Sequence, residues 1–171
     1  MYDTICYPVD GSEGSKAPLE DVRTLASRFD AVVHVLHVVD DSPEAFGMVG
    51  RPDREGGPGM SGGVADEENP GMGTGMPDLE ELRQRLDAQG SIVVADIAEV
   101  LSDVETKTTV ERGAPHETIT EYADEVGADV IVMGTHGRSG VERLLLGSVT
   151  EKVVRTSDVP VLTVRRSRDG A

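Results

Sequence analysis

The sequence predicts an α/β protein: an open, all-parallel sheet of five strands in the order 3-2-1-4-5, with helices on both faces. Three observations predict it. Short apolar, β-branched runs alternate with stretches whose apolar residues recur every three or four positions. Each connection between consecutive runs is long enough to carry a crossover helix, which makes the paired strands parallel. Glycines stand in the turns that close the first and fourth runs, at Gly11 and Gly134. There a doubly wound sheet reverses its winding and leaves a crevice beyond the strand ends.

Taken in order, Thr4 to Val9 (TICYPV) reads as strand one, closed by Asp10-Gly11-Ser12. Pro8 belongs at its end, where the chain leaves the ladder. From Ser15 the spacing of Leu19, Val22, Leu25, Ala26 and Phe29 is helical, with Pro18 at a position a first turn tolerates. Ala31 to Val39 (AVVHVLHVV) is a second buried strand. Residues 41–77 break the pattern. They hold ten of the 20 glycines, five of the nine prolines and four of the six methionines. Composition of this kind predicts a flexible insertion, and a loop of this length is either functional or disordered.

A long helix is predicted from Pro77-Asp78 to about Ser102, on Leu79, Leu82, Leu86, Val93, Ile97 and Val100, skipping Gly90. Within it SIVVADI (91–97) also fits a strand by β-branching alone. Val104 to Val110 alternates strictly, with Val104, Thr106, Thr108 and Val110 on one face, as an edge strand would. Gly113-Ala114-Pro115 opens a helix carrying Ile119, Tyr122, Ala123 and Val126, closed by Gly127. Val130 to Met133 is the fourth strand. A helix through Val153-Val154 follows, then a last strand at Val159 to Val164, where Pro160 argues for an edge or a strand start. The tail RRSRDGA is expected to fray. The whole, 1–171, reads as one domain.

Composition removes several function classes. The formal charge is −16, from 32 acidic and 16 basic residues, and only Lys16, Lys107 and Lys152 of the basic set are lysines. Such a surface repels nucleic acid and anionic membranes. The charge is spread along the chain, not gathered in one acidic tail. This matches the composition of proteins from salt-loving organisms, where dense salt screens self-repulsion. The first residues carry neither a basic nor a long apolar segment, so no signal peptide is expected, and no run is long enough to span a membrane. A single cysteine, Cys6 in an apolar stretch, excludes an internal disulfide framework. It reads as a buried hydrophobe, and a cytoplasmic location fits.

The chemistry concentrates between Asp129 and Thr150 (DVIVMGTHGRSGVERLLLGSVT). A strand running into glycines and then a helix builds an anion pocket. Glycine lets backbone N–H groups approach a phosphate closely, and a helix N-terminus adds unpaired donors with partial positive charge. No G-x-x-x-x-G-K-[ST] is present, and no G-x-G-x-x-G follows the first strand. What remains is Gly134-x2-Gly137, nine residues, then Gly147-Ser148. Ser139 with Glu142, and Ser148 with Glu151, have capping-box spacing and predict two helix starts. The second would present the N–H groups of Ser148, Val149 and Thr150.

At these residues the chain resembles the universal stress proteins, in their ATP-binding branch, whose phosphate signature is G-x2-G-x9-G-[ST]. Gly134, Gly137, Gly147 and Ser148 match it in every term. Strand-end Asp10, HVVD at 37–40, DVIVMGTHG and the terminal VPVLTV extend the likeness over nearly the whole chain, leaving out 41–77. The resemblance implies a Rossmann-like, adenine nucleotide alpha hydrolase-like fold that binds ATP with Mg²⁺ or Mn²⁺. It implies that Pro8, Val9 and Asp10 lie along the adenosine, with Asp10 near the ribose or a nucleotide-bound metal. Val38 would meet the adenine edge through its backbone. Met133, Gly134, Thr135, His136 and Gly137 would form the loop against ribose and phosphates, Arg138 would add charge, and Gly147, Ser148, Val149 and Thr150 would take the phosphates. It also implies a homodimer paired through the last strand, about 159–164.

The histidines add little catalysis. No orienting partner for His136 is legible, so it reads as a contact or donor and not as an acid or base. His34 and His37 read as packed strand residues, not a metal pair, and His116 as surface. The leading function is a nucleotide-responsive binding or regulatory module of the stress response. The alternative is a slow ATPase or phosphoryl-transfer enzyme. Efficient transfer needs a positioned base and charge clamps, and the sequence offers only Asp10, His136 and Arg138. A third possibility, a dimeric scaffold that never uses nucleotide, is hard to reconcile with the complete signature.

Overall fold

Alternate residues of the central strands feed two separate cores, as expected of a sheet covered on both faces. The computed structural model describes residues 2–41, 79–135 and 146–165. Its elements are β1 (Thr4–Pro8), α1 (Glu13–Lys16), α2 (Leu19–Phe29), β2 (Val32–Val39), α3 (Leu79–Val100), β3 (Thr106–Arg112), α4 (Pro115–Glu125), β4 (Val130–Gly134), α5 (Ser148–Thr156) and β5 (Val161–Val164). The strands form one parallel sheet in the order β3-β2-β1-β4-β5. Ile5, Tyr7, Val33, Val35, Val130 and Val132 pack with Val22 and Ala26 of α2 and Val94 and Ile97 of α3. Cys6, Leu36, Ile131 and Met133 pack on the other face with Ile119 and Ala123 of α4 and Val153 of α5. Burial pushes the Cys6 thiol up to about 12, so it is a packed, inert group.

The ambiguous stretch 91–97 is helical. Val94, Ile97 and Leu101 are buried while Ile92 is 62% exposed, a helical stripe and not an alternating one. Gly90 is tolerated in mid-helix because no side chain would fit there. A Cβ on it would lie 2.6 Å from Cδ2 of His37 and 3.1 Å from Cγ1 of Val110. β3 is the predicted edge strand, but it begins two residues later than the alternation suggested. Thr108 is exposed whereas Thr109 is half-buried, its hydroxyl 2.8 Å from that of Tyr122. That contact belongs to α4, which the alternation does not register. Gly127 takes φ +63 after α4, as a C-terminal glycine should.

The predicted insertion at 41–77 lies outside the described residues except for Asp41. So do the residues 139–142 that carry the first capping-box spacing, and all but Arg165 of the tail. α1 is an element that hydrophobic spacing misses, because it has only four residues. Ser12 caps it by accepting the Ser15 N–H at 3.1 Å, and Asp10 accepts the Ser12 N–H at 2.9 Å. Gly11 makes the turn at φ +80.

The start of β4 is tied to the start of β1 by Asp129, whose Oδ2 accepts the N–H groups of Thr4 and Asp3 at 2.9 and 2.7 Å. These bonds, Thr4's first, hold its carboxyl below the usual aspartate range. A depressed folded pKa contributes stability above the unfolded value and loses it as pH falls through the folded value. Asp129→Asn is therefore expected to lower the urea midpoint at pH 7. The deficit should shrink as pH falls below the unfolded aspartate value of about 4 and on through the lower folded one. A deficit that does not change with pH would show that charge plays no part in this tie.

Candidate functional site

β1 and β4 are neighbours whose following elements leave on different sides: α1 and α2 on one face, α5 on the other. Their carboxyl ends open a cavity of about 660 Å³. Pro8, Val9 and Asp10 enter it from the end of β1, Leu36 to Asp40 from the end of β2, and Met133 and Gly134 from the end of β4. Gly147 to Thr150 line it at the start of α5, with Leu82, Leu86 and Gln89 of α3 and Pro115 and Ile119 of α4 around them. Ten of the predicted residues thus come together: Pro8, Val9, Asp10, Val38, Met133, Gly134, Gly147, Ser148, Val149 and Thr150.

Thr135 is buried and does not line the cavity. Its backbone serves structure, its N–H donating to Val164 at 3.0 Å and its carbonyl accepting from Gly147 at 2.7 Å. These bonds dock β5 and fix the entry of α5. His136, Gly137 and Arg138 lie outside the described residues.

The capping box expected at Ser148 does not form. Gly147 occupies the N-cap, at φ −56 and ψ 148, and makes no side-chain cap bond. Its carbonyl accepts the Glu151 N–H at 2.8 Å. Ser148 is consequently the first helical residue, and the Glu151 carboxylate pairs with Arg155 instead of reaching back. The physical reason is that a capping residue must be extended, and glycine takes that role one position earlier. Among the described residues the N–H groups of Ser148, Val149 and Thr150 have no hydrogen-bond partner, as the first turn of an uncapped helix requires. They form a donor set at the cavity, and the exposed Ser148 hydroxyl stands beside them.

Two predicted residues carry a structural duty as well. Thr150 is buried, and its Oγ1 donates to the Gly134 carbonyl at 3.0 Å, holding α5 against β4. Gly134 is where two backbones cross. A Cβ built there would overlap the Gly14 carbonyl oxygen of α1 and lie 2.9 Å from its carbonyl carbon. α1 makes a close backbone approach at Gly134, besides the one that sequence reasoning expects of a ligand.

The opposite rim is backbone too. β2 alternates its peptide groups between β3 and β1: Val33 bonds Glu105 and Val39 bonds Gly113, whereas Leu36 accepts from Val9 at 2.8 Å. Val38 therefore faces β1, but β1 has ended. Among the described residues its N–H and C=O have no partner. His37 is buried, with Nδ1 donating to the Val9 carbonyl at 2.8 Å. His34 is packed as expected, its Nδ1 3.0 Å from the Tyr122 hydroxyl. Burial, helped by Lys107, lowers its pKa. His116 is half-buried, 3.7 Å from Glu117.

Sequence reasoning missed His37, Asp40, Leu82, Leu86 and Gln89 at the cavity. Leu82 and Leu86 are spaced like any buried helical pair, so only the position of α3 distinguishes them. Asp10 and Asp40 put acidic side chains on the lining, and none of the described lining residues is Lys or Arg. Among the described residues no group of three or more His, Cys, Asp or Glu could hold a metal ion. No helix among them is long and apolar enough to cross a membrane. The arrangement can hold an elongated ligand with an anionic end at the α5 N-terminus and a planar polar edge at Val38.

A family model, the universal stress protein family, matches residues 1–165. Universal stress protein MJ0577 of Methanocaldococcus jannaschii is 33% identical over 172 residues, spanning 97% of this chain and 96% of that protein. Its solved structure superposes with a TM-score of 0.72 at 30% identity, covering 99% of each chain. A universal stress protein solved in complex with cAMP is 23% identical with a TM-score of 0.56, covering 97% of this chain and 98% of its own. One from Arabidopsis thaliana, solved with AMP bound, is 17% identical with a TM-score of 0.58, covering 98% and 94%. These last two share the fold. The match over nearly the full length, in sequence and in strand order, means that the chain belongs to the universal stress protein family.

Proposed function

We propose that the chain is an ATP-binding universal stress protein, acting as a nucleotide-responsive binding or regulatory module in the stress response. One observation carries the reading most: the uncapped N-terminus of α5, with three N–H groups unpartnered among the described residues, opens onto the switch-point cavity. The Val38 backbone at the other end, unpartnered among the described residues, suits the edge of a base. Relatives of the same fold solved with cAMP and AMP supply the ligand class. In this reading Pro8, Val9 and Asp10 lie along the adenosine. Met133, Gly134, His136, Gly137 and Arg138 face the ribose and phosphates, with Thr135 behind them holding the entry of α5, and Gly147, Ser148, Val149 and Thr150 bind the phosphates. Mg²⁺ or Mn²⁺ travels with the nucleotide and offsets the charge of Asp10 and Asp40, since hard cations of this kind are held mainly by phosphate oxygens and water.

The chain works as one domain in the cytoplasm and pairs as a homodimer through β5, an edge strand that leaves Leu162 39% exposed. Its acidic surface suits concentrated salt. The test is to purify the protein in high salt without added nucleotide, extract it with acid and identify what elutes, then incubate it with Mg-ATP. Bound ATP that stays intact is the expected result. Steady accumulation of ADP would favour the slow ATPase. Absence of any adenine nucleotide, even at millimolar supply, would sink the reading.

A further inference from the structure

We propose that His37 is a positioning residue that holds the β1–β2 ladder open by one rung, so that the Val38 backbone can read a base. This rests on the nucleotide reading above and assigns the selection of the base to a side chain that never needs to touch it. In a parallel pair, a residue facing its neighbour donates its N–H to one carbonyl and accepts from a N–H two residues further along. Leu36 accepts from Val9 at 2.8 Å. The next rung would join the Val38 N–H to the Val9 carbonyl. That carbonyl is instead taken by Nδ1–H of His37 at 2.8 Å. A carbonyl only accepts, so Nδ1 carries the proton. The matching donor for the Val38 carbonyl would come from Gly11, which turns away at φ +80.

Val38 is thereby left with one donor and one acceptor on the same side, half-buried at the cavity. That pair complements the N1 acceptor and N6 amino donor of adenine, and clashes in both positions with the N1–H and O6 of guanine. An unmade hydrogen bond in such a site is costly, so the pair discriminates as well as binds. The ring of His37 is itself fixed. It is buried, and α3 crosses it at Gly90, where a Cβ would stand 2.6 Å from Cδ2.

The test has a readout that needs no ligand. In the nucleotide-free protein the Val38 amide should exchange with solvent much faster than its strand neighbours. In His37→Leu the Val9 carbonyl is released, the rung closes, and exchange at Val38 should slow at least about tenfold. His37→Asn, which keeps a donor near the position of Nδ1, should restore fast exchange. Gly90→Ala displaces the ring with His37 in place and should protect Val38 as the leucine does, so the claim survives a leucine variant that fails to fold. The preference for ATP over GTP, measured on the same proteins, should fall at least about tenfold in His37→Leu and recover in His37→Asn. Slow Val38 exchange in the unaltered protein, or exchange and preference unmoved by His37→Leu and Gly90→Ala, would overturn the proposal. If exchange behaves as described while no nucleotide binds, the base-reading role falls with the nucleotide reading and the open rung stands.

Discussion

Gly134→Val is expected to destabilise the fold and abolish nucleotide binding together. The valine Cβ would occupy the space of the Gly14 carbonyl in α1. The obstacle is backbone, which cannot rotate away as a long side chain would. α1 is pinned from its other side, since the Tyr7 hydroxyl donates to the Ser15 carbonyl at 2.7 Å in a buried bond. Overpacking at such a point costs about 3 kcal/mol or more. For a domain of this size that is roughly 6–12 °C in melting temperature. A thermal melt with and without ATP checks it. A variant that melts like the parent and loses only affinity would show that α1 yields freely and that Gly134 serves the ligand alone.

Ser148→Asp should move stability and binding in opposite directions. Ser148 is exposed and is the first residue of α5. A carboxylate there interacts favourably with the helix N-terminus, by about 0.3–1 kcal/mol at low salt. The same carboxylate would stand where the phosphates bind. Two like charges about 4 Å apart near a protein surface repel by roughly 4 kcal/mol, and concentrated salt weakens this. The expected result is an equal or higher melting temperature with ATP affinity reduced at least about hundredfold, measured by calorimetric titration. Unchanged affinity would put the phosphates elsewhere in the cavity.

Much of this was legible in the sequence, for reasons that can be stated. The sheet was readable because each strand is a short β-branched run and each crossover is long enough for a helix. The two ends of the site were readable because glycines mark the places where backbone itself does the work. What was not readable depends on neighbours distant in sequence. The Ser148–Glu151 spacing is right for a capping box, but whether Ser148 or Gly147 becomes the cap depends on how Thr135 holds the Gly147 N–H. Gly134 lines the cavity, but nothing local reveals that a four-residue helix also lies over it. His37 read as a packed residue and is packed. Its use of the Val9 carbonyl follows from the point at which β1 stops, a property of two strands at once. Gly90 is explained only by the ring beneath it.

In the proposed reading one ligand spans from Val38 to the start of α5. The most direct measurement is an amide NMR titration of the nucleotide-free protein in high salt with Mg-ATP, adenosine and inorganic triphosphate. ATP should shift the amides of Val38, Ser148, Val149 and Thr150 together. Adenosine alone should shift Val38 and leave the α5 amides still, and triphosphate should do the reverse. Shifts confined to other surfaces, or none at millimolar ATP, would contradict the account.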